Sequence, residues 1–236
     1  MPLGAVIFDM DGLLLDTERL ARQAWQQALA DWGYSLPDAL FLAVVGRTAR
    51  STREFFVQGL GADVPLDQVI RRKDEYLDAL YAQAIPVQPG VFELLAALDA
   101  WGVPKAVASS TVRARVLFKL TRTGLLDRFP VIVGGDEVAH GKPAPDVLLA
   151  AGQRLGVAAA ACLVLEDSDA GVAAAVAAGM RVIMVPDIKP PAPESAARAY
   201  RVVASLHDVI PLLAELRAEC PPLLPPHAGD GEGRSN

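Results

Sequence analysis

Short apolar runs alternate with longer amphipathic segments from about residue 90 onward. The runs have the length and character of buried strands, and the segments between them repeat apolar residues at helical spacing. Strand and helix in alternation predict parallel strands joined by right-handed crossovers, in a sheet that helices cover on both faces. The predicted strands are residues 105–108, 131–133, 162–165, 182–185 and 201–204, and the predicted helices include residues 91–100, 112–123 and 145–155.

The segment between residues 17 and 85 interrupts this alternation, because it has helical patterns and no convincing strand. Its predicted helices are residues 19–32, 50–60 and 66–84, separated by Gly and Pro residues. The predicted fold class is therefore α/β, a doubly wound parallel sheet with an inserted α-helical cap domain. We expect a Rossmann-like core at 1–15 and 87–220, the cap at 16–86, and a flexible C-terminal tail at 221–236.

Composition narrows the class of protein. The chain has 236 residues, 52% of them hydrophobic and 21% charged, which is typical of a soluble globular protein. It lacks a secretion signal and the run of roughly 18 apolar residues that a membrane helix needs, so we expect a cytoplasmic protein without membrane contact. The net charge of −6 argues against a nucleic-acid partner, and no protein partner is evident. The two cysteines, Cys162 and Cys220, support neither a disulfide framework nor a Cys-based metal site.

Polar residues follow the predicted strands at the places where a parallel sheet binds ligands. Taken singly, each has an ordinary structural explanation, such as a helix cap or a solvated loop. Because the carboxyl ends of parallel strands share one edge of the sheet, we expect these residues to converge on one site. They are Asp9 and Asp11 after the apolar run that ends at Phe8, Ser109, Ser110 and Thr111 after residues 105–108, Lys142 next to the third strand, and Glu166 with Asp167 after residues 162–165.

The chemistry of this set points to phosphoryl transfer. Carboxylates from two strand ends form a hard, oxygen-rich group of donors, which suits Mg²⁺ rather than zinc or copper. Hydroxyl groups at Ser109 and Ser110, with the cation of Lys142, suit an anion. A carboxylate nucleophile beside a metal and anion donors can attack phosphorus and form an acyl phosphate. A second aspartate can protonate the leaving group and then activate water.

With these motifs in this order, the chain resembles the haloacid-dehalogenase superfamily of aspartyl-phosphate phosphotransferases. The resemblance extends to about residue 218, and the motif Asp9-Met10-Asp11-Gly12 with its downstream partners is a strong signal of that superfamily. It implies a Mg²⁺ cofactor and the following roles. Asp9 would be the nucleophile and a metal ligand, and Asp11 the general acid/base and a metal ligand through its carbonyl. Ser109 and the Ser110 amide would hold phosphoryl oxygens, and Lys142 would neutralise charge in catalysis. Asp167 with Glu166 would complete the metal site.

The helical insertion resembles the small cap of the β-phosphoglucomutase and sugar-phosphate phosphatase branch. Residues 8–20, 140–146 and 163–186 are most similar to pseudouridine-5′-phosphatases and other small-metabolite phosphatases. In that branch the cap closes over the substrate and excludes bulk water. The candidate substrate-binding residues in this cap are Gly46, Arg47, Thr48, Arg50 and Lys73.

Hydrolysis of a small phosphomonoester, either a phosphosugar or a nucleoside-like monophosphate, is the leading prediction. The first alternative is a phosphosugar mutase, but β-phosphoglucomutases carry a histidine where this chain has Ala21. The second alternative is a binding module that has lost catalysis, although both Asp9 and Asp11 are intact. In the leading prediction the partner is a small phosphorylated metabolite.

Overall fold

Six parallel strands form one sheet in the order β3-β2-β1-β4-β5-β6. The computed structural model describes residues 3–45 and 49–218 of the chain. This topology, with helices on both faces, confirms the predicted doubly wound α/β class. The strands are β1 (Ala5–Phe8), β2 (Lys105–Ala108), β3 (Val131–Val133), β4 (Cys162–Glu166), β5 (Arg181–Met184) and β6 (Arg201–Val202).

The insertion between β1 and β2 is helical, as predicted, and it has its own hydrophobic cluster, in which Trp25 stacks on Phe56 with ring centroids 4.4 Å apart. The sequence pattern missed its second helix. That helix has seven residues after Pro37, about two turns, which is too short for a clear period. The helices of the insertion are α1 (Thr17–Ala30), α2 (Asp38–Val44), α3 (Ala49–Leu60) and α4 (Leu66–Gln83).

The remaining helices cover the sheet. They are α5 (Val91–Ala100), α6 (Arg113–Arg122), α7 (Asp146–Leu155), α8 (Asp169–Ala177), α9 (Pro193–Arg198) and α10 (Leu206–Ala218). Successive residues of β1 point to opposite faces. Val6 and Phe8 join one hydrophobic cluster with α5, α6 and α10, whereas Ala5 and Ile7 join another with α7 and α8. Both faces of the central strand are therefore buried, which explains why its sequence is apolar throughout.

The two linkers between the sheet and the insertion pair with each other. Leu15 forms an antiparallel bridge with Val87. The side-chain amide of Gln88 donates a hydrogen bond of 2.9 Å to the carbonyl oxygen of Gly12. At the base of the insertion, Leu77 belongs to the same hydrophobic cluster as the sheet. The insertion is thus joined to the sheet by backbone pairing and by shared apolar packing.

Three predicted strands have different limits in the structure. The fourth is Cys162–Glu166 rather than 162–165. The fifth is Arg181–Met184 rather than 182–185, and the sixth is only Arg201–Val202 rather than 201–204. The sixth strand lies at the edge of the sheet, where it pairs with β5, and both of its residues are exposed. Cys162 is buried and unpaired, and Cys220 lies outside the described residues. Within the described ranges, no helix combines the length and the apolar character needed to span a membrane.

We predict that Gly90→Ala destabilises the fold more than Gly102→Ala. Both glycines have positive φ, +88° and +64°, and alanine in that conformation costs about 1–2 kcal/mol. At Gly90 a Cβ would also lie 2.7 Å from the backbone nitrogen of His207, whereas at Gly102 nothing lies within 4 Å. The clash should add about 1–3 kcal/mol to the loss in the free energy of unfolding, measured by urea denaturation. Equal losses in the two variants would contradict the expectation.

Candidate active site

The carboxyl ends of β1, β2 and β4 border a cavity of about 530 Å³ beneath the helical insertion. The strand order reverses here, because the chain runs from β1 outward to β3 and then crosses to β4 on the other side of β1. Loops diverge at such a point and leave room for a ligand. The cavity lining brings together the predicted site residues Asp9, Asp11, Ser109, Ser110, Lys142 and Asp167, with Thr111 beside them.

The ammonium group of Lys142 is buried and satisfied by three acceptors. It donates to Asp9 Oδ1 at 2.5 Å, to Glu166 Oε1 at 2.5 Å and to the carbonyl oxygen of Ala108 at 3.0 Å. Three acceptors match the three N–H bonds of an ammonium. Burial by itself lowers the pKa of Lys142, but the charges of Asp9 and Glu166 outweigh it and raise the pKa above its usual value. This lysine therefore stays charged.

Glu166, at the end of β4, is completely buried and uses both of its oxygens. Oε1 accepts from Lys142, and Oε2 accepts from the backbone N–H groups of Asp167 and Ser168 and from the Ser168 hydroxyl. A buried carboxylate needs this many donors to offset the loss of water. Its orientation is consequently fixed by the protein.

Asp9, Glu166 and Asp167 form an acidic cluster in which one oxygen of each lies within 4.8 Å of the others. Burial raises the pKa of Asp9 to about 7, since Glu166 adds repulsion and Lys142 compensates only in part. Burial, with repulsion from Glu166 and Asp9, also raises the pKa of Asp167 well above its usual value. Crowded carboxylates with too little positive charge are what a hard divalent cation neutralises, so this donor set fits Mg²⁺.

Two glycines make the close approach of these carboxylates possible. A Cβ on Gly12 would lie 2.3 Å from Asp167 Oδ2, and the residue has a φ of +85°. A Cβ on Gly171, in the first turn of α8, would lie 1.8 Å from the carboxyl carbon of Glu166. Any side chain at either place would displace a carboxylate of the cluster.

Asp11 faces away from the acidic cluster and is held by three side chains. Its Oδ1 accepts from Lys119 Nζ at 2.5 Å and from Thr17 Oγ1 at 2.8 Å. Its Oδ2 accepts from Thr111 Oγ1 at 2.8 Å. Burial by itself raises the pKa of Asp11, but the charge and hydrogen bond of Lys119, with the two threonine hydroxyls, lower it below its usual value.

The serine pair lies at the end of β2. Ser109 is buried, and its Oγ accepts a hydrogen bond of 3.1 Å from the backbone N–H of Thr111, which fixes the turn after the strand. Ser110 is exposed and lines the cavity. The two serines therefore offer hydroxyl and backbone groups beside Asp9, at the place where the sequence predicted an anion site.

Among the described residues, the helical insertion contributes Thr17, Glu18, Ala21, Val45 and Tyr81 to the cavity. Burial raises the pKa of Glu18 to about 7, with repulsion from Asp11 and Asp187 in the same direction. Ala21 lies in the lining, so a histidine at that position would have faced the cavity. Its small side chain leaves that space to a ligand.

One of the predicted cap residues, Lys73, has a described side chain, and that side chain is not part of this lining. Lys73 pairs with Asp74 at 2.5 Å and lies 5.3 Å from the ring centroid of Trp25. Residues 46–48, which include Gly46, Arg47 and Thr48, lie outside the described residues, and the side chain of Arg50 is not described either. Of the predicted cap residues, only Lys73 thus has a described side chain.

Sequence reasoning missed Glu18, Tyr81 and Lys119 as site residues. A signal existed for Lys119, because it stands three residues after buried Val116 and directly before buried Leu120 in α6. A lysine on the apolar side of a helix needs a buried partner. Nothing in the local pattern identifies that partner as Asp11, which is 108 residues away.

Comparison with known proteins identifies the family of this chain. Residues 6–185 match the profile of the family described as haloacid dehalogenase-like hydrolase. Protein CbbY from Rhodobacter capsulatus is 40% identical over 196 residues, which is 79% of this chain and 86% of that protein. A Drosophila melanogaster protein named "Probable pseudouridine-5′-phosphatase" is 37% identical over 211 residues, which is 87% of this chain and 90% of that protein.

A crystal structure of a HAD family hydrolase from Deinococcus radiodurans R1, with bound phosphate and sodium, has the same fold. It superimposes with a TM-score of 0.77 and 32% identity, and the match covers 91% of this chain and 96% of that one. The family match spans the strands that carry the acidic cluster. The chain therefore belongs to the haloacid dehalogenase-like hydrolase family.

Proposed function

We propose that this protein is a Mg²⁺-dependent phosphatase that hydrolyses a small phosphomonoester, a phosphosugar or a nucleoside-like monophosphate, through an aspartyl-phosphate intermediate. The observation that carries the proposal is the pair Asp9 and Asp11 in one cavity, with opposite environments. Asp9 lies between Lys142 and the acidic cluster, and Asp11 lies between Lys119 and two threonines. Two carboxylates with different surroundings can take two different roles.

In the proposed first step, a carboxylate oxygen of Asp9 attacks phosphorus as the bond from phosphorus to the ester oxygen breaks. Asp11 gives a proton to the departing alkoxide, so an alcohol leaves and Asp9 carries the phosphoryl group. In the second step, Asp11 takes a proton from water while the water oxygen attacks phosphorus. Phosphate then leaves and the Asp9 carboxylate is restored.

The other residues of the cavity have proposed supporting roles. Lys142 neutralises charge on Asp9 and on the phosphoryl group, while Ser109 and the N–H of Ser110 bind phosphoryl oxygens. Mg²⁺ would be held by Asp9, Asp167 and the carbonyl of Asp11, and when bound it supplies charge neutralisation at the phosphoryl group. Glu166 would complete this metal site, since its Oε1 accepts only from Lys142 among the described residues while its Oε2 is fixed by Asp167 and Ser168.

The proposed substrate is small because of the cavity and its cover. A volume of about 530 Å³ is within the usual range for sites that bind metabolites. We propose that residues 16–86 act as a cap that shields the substrate from water, over the core formed by 1–15 and 87–220. We also propose that Gly46, Arg47 and Thr48 contribute to substrate choice. The similarity to a protein named as a pseudouridine-5′-phosphatase supports a nucleoside-like monophosphate as one candidate.

The mutase alternative rests on the shared fold. Ala21 lines the cavity where the mutases have a histidine, which favours hydrolysis.

The test is phosphate release from a panel of sugar phosphates, nucleotides, pseudouridine phosphate and phosphoglycolate, with Mg²⁺ and with chelator. Mg²⁺-dependent release from a few esters supports the phosphatase. Isomerised product without phosphate release, from glucose 1-phosphate with a bisphosphate primer, would support the mutase instead.

We predict that Asp9→Asn lowers kcat by about three or more orders of magnitude, because an amide is a poor nucleophile and a poor metal ligand. Far-UV circular dichroism should stay unchanged. Asp146→Asn is the matched control, since its carboxylate contacts His140 and not the cavity, and it should keep full activity. Substantial turnover by Asp9→Asn would exclude Asp9 as the nucleophile.

We predict that Mg²⁺ raises the melting temperature more at pH 8 than at pH 6. The pKa of Asp9 is raised to about 7, so below that pH a proton competes with the metal. A folded-state pKa above the unfolded value also means that chelated protein loses stability as pH rises from about 4 to 7. Thermal-shift measurements with Mg²⁺ or chelator at both pH values test this. Asp167→Asn should abolish the rise in melting temperature that Mg²⁺ causes. An equal rise at both pH values in the wild-type protein would contradict the prediction.

A further inference from the structure

Lys119 is a buried cation that the proposed chemistry does not use. It lies on α6, outside the loops that carry the four motifs, and its side chain is 6% exposed. Its ammonium reaches across to the end of β1, where it donates to Asp11 Oδ1 at 2.5 Å. Burying an ammonium is costly unless it is paired, so this contact fixes where both groups lie.

The two carboxylate oxygens of Asp11 accept different numbers of hydrogen bonds. Oδ1 accepts from Lys119 and from the hydroxyl of Thr17, which uses both of its lone pairs. Oδ2 accepts only from the hydroxyl of Thr111, so one of its lone pairs has no donor among the described residues. Since a proton can be carried only at a free lone pair, Oδ2 is the oxygen that can exchange one with a ligand in the cavity.

Lys119 is also in contact with the helical insertion. Its Nζ lies 5.1 Å from the ring centroid of Tyr81, a buried residue near the end of α4. Aromatic faces attract cations, and the ring restricts where the ammonium can lie. The lysine is thus held between Asp11 of the core and Tyr81 of the insertion, which favours one fixed position.

We propose that Lys119 is a positioning residue, which holds Asp11 through Oδ1 so that Oδ2 faces the leaving group of the substrate. This rests on the proposed phosphatase function, in which Asp11 is the acid/base. Lys119 acts on Asp11 and not on phosphorus. It therefore affects the proton transfer to the leaving group, and it leaves the attack by Asp9 unaffected.

The test compares leaving groups. An alkyl phosphate, the best ester of the panel, needs a proton on its leaving oxygen, whereas p-nitrophenyl phosphate leaves readily without one. Lys119→Met keeps the length of the side chain and removes the charge. We expect kcat to fall about tenfold or more for the alkyl ester and less than threefold for p-nitrophenyl phosphate, at little change in KM. Lys119→Arg, which keeps a cation, should recover part of the alkyl activity.

The matched control is Arg115→Met on the same helix. Arg115 pairs with Asp78 and also lies near the Tyr81 ring, at 5.9 Å, but it is not part of the cavity lining. Arg115→Met should leave kcat unchanged for both esters. A loss of equal size for both esters in Lys119→Met would mean a structural role only. A raised KM with unchanged kcat would mean that Lys119 binds substrate directly. Either result overturns the proposal.

A double variant keeps the test valid if Lys119→Met alone does not fold, because Asp11→Asn/Lys119→Met removes both charges of the buried pair. Under the proposal it has the same leaving-group dependence as Asp11→Asn alone, within about twofold. A further large loss in the double variant would contradict the proposal. If the wild-type protein releases no phosphate from any ester, the phosphatase function itself is overturned. If the wild-type protein is active but Lys119→Met loses the same activity on both esters, only the role of Lys119 is overturned.

Discussion

The site depends on the charge balance around Lys142. Its ammonium lies between Asp9 at the end of β1 and Glu166 at the end of β4, two adjacent parallel strands. Without it, two carboxylates would be buried side by side with no nearby cation among the described residues, which would strongly destabilise the fold. One lysine from a loop near β3 thus allows an acidic cluster to form at the centre of the sheet.

Lys142 does not neutralise all of the negative charge in the acidic cluster, and the charge that is left favours the binding of a cation. Asp9, Glu166 and Asp167 carry three carboxylates against one lysine, and the raised pKa values of Asp9 and Asp167 express that excess. A divalent cation neutralises the excess negative charge. Because this relieves the repulsion between the carboxylates, the repulsion strengthens the binding of the cation. The glycines at positions 12 and 171 belong to this arrangement, since a methyl group at either would push a carboxylate away.

A second ion pair separates the two catalytic candidates. Asp9 and Asp11 are only two residues apart, yet Asp11 is turned toward Lys119, Thr17 and Thr111 and away from the acidic cluster. Its pKa is lowered where that of Asp9 is raised. Thr17 is the first residue of α1, so the insertion that covers the cavity also contacts the proposed acid/base directly.

The sequence by itself determined the parallel α/β fold and the convergence of Asp9, Ser109, Lys142 and Asp167. Apolar strand runs followed by polar residues can be arranged in few other ways, and the carboxyl ends of parallel strands meet at one edge. Helix α2 was too short to show a period. Only the tertiary structure decided that Lys119 contacts Asp11 and that Lys73 lies away from the cavity lining. Such side-chain contacts depend on how helices that are far apart in the sequence pack together, which local patterns do not encode.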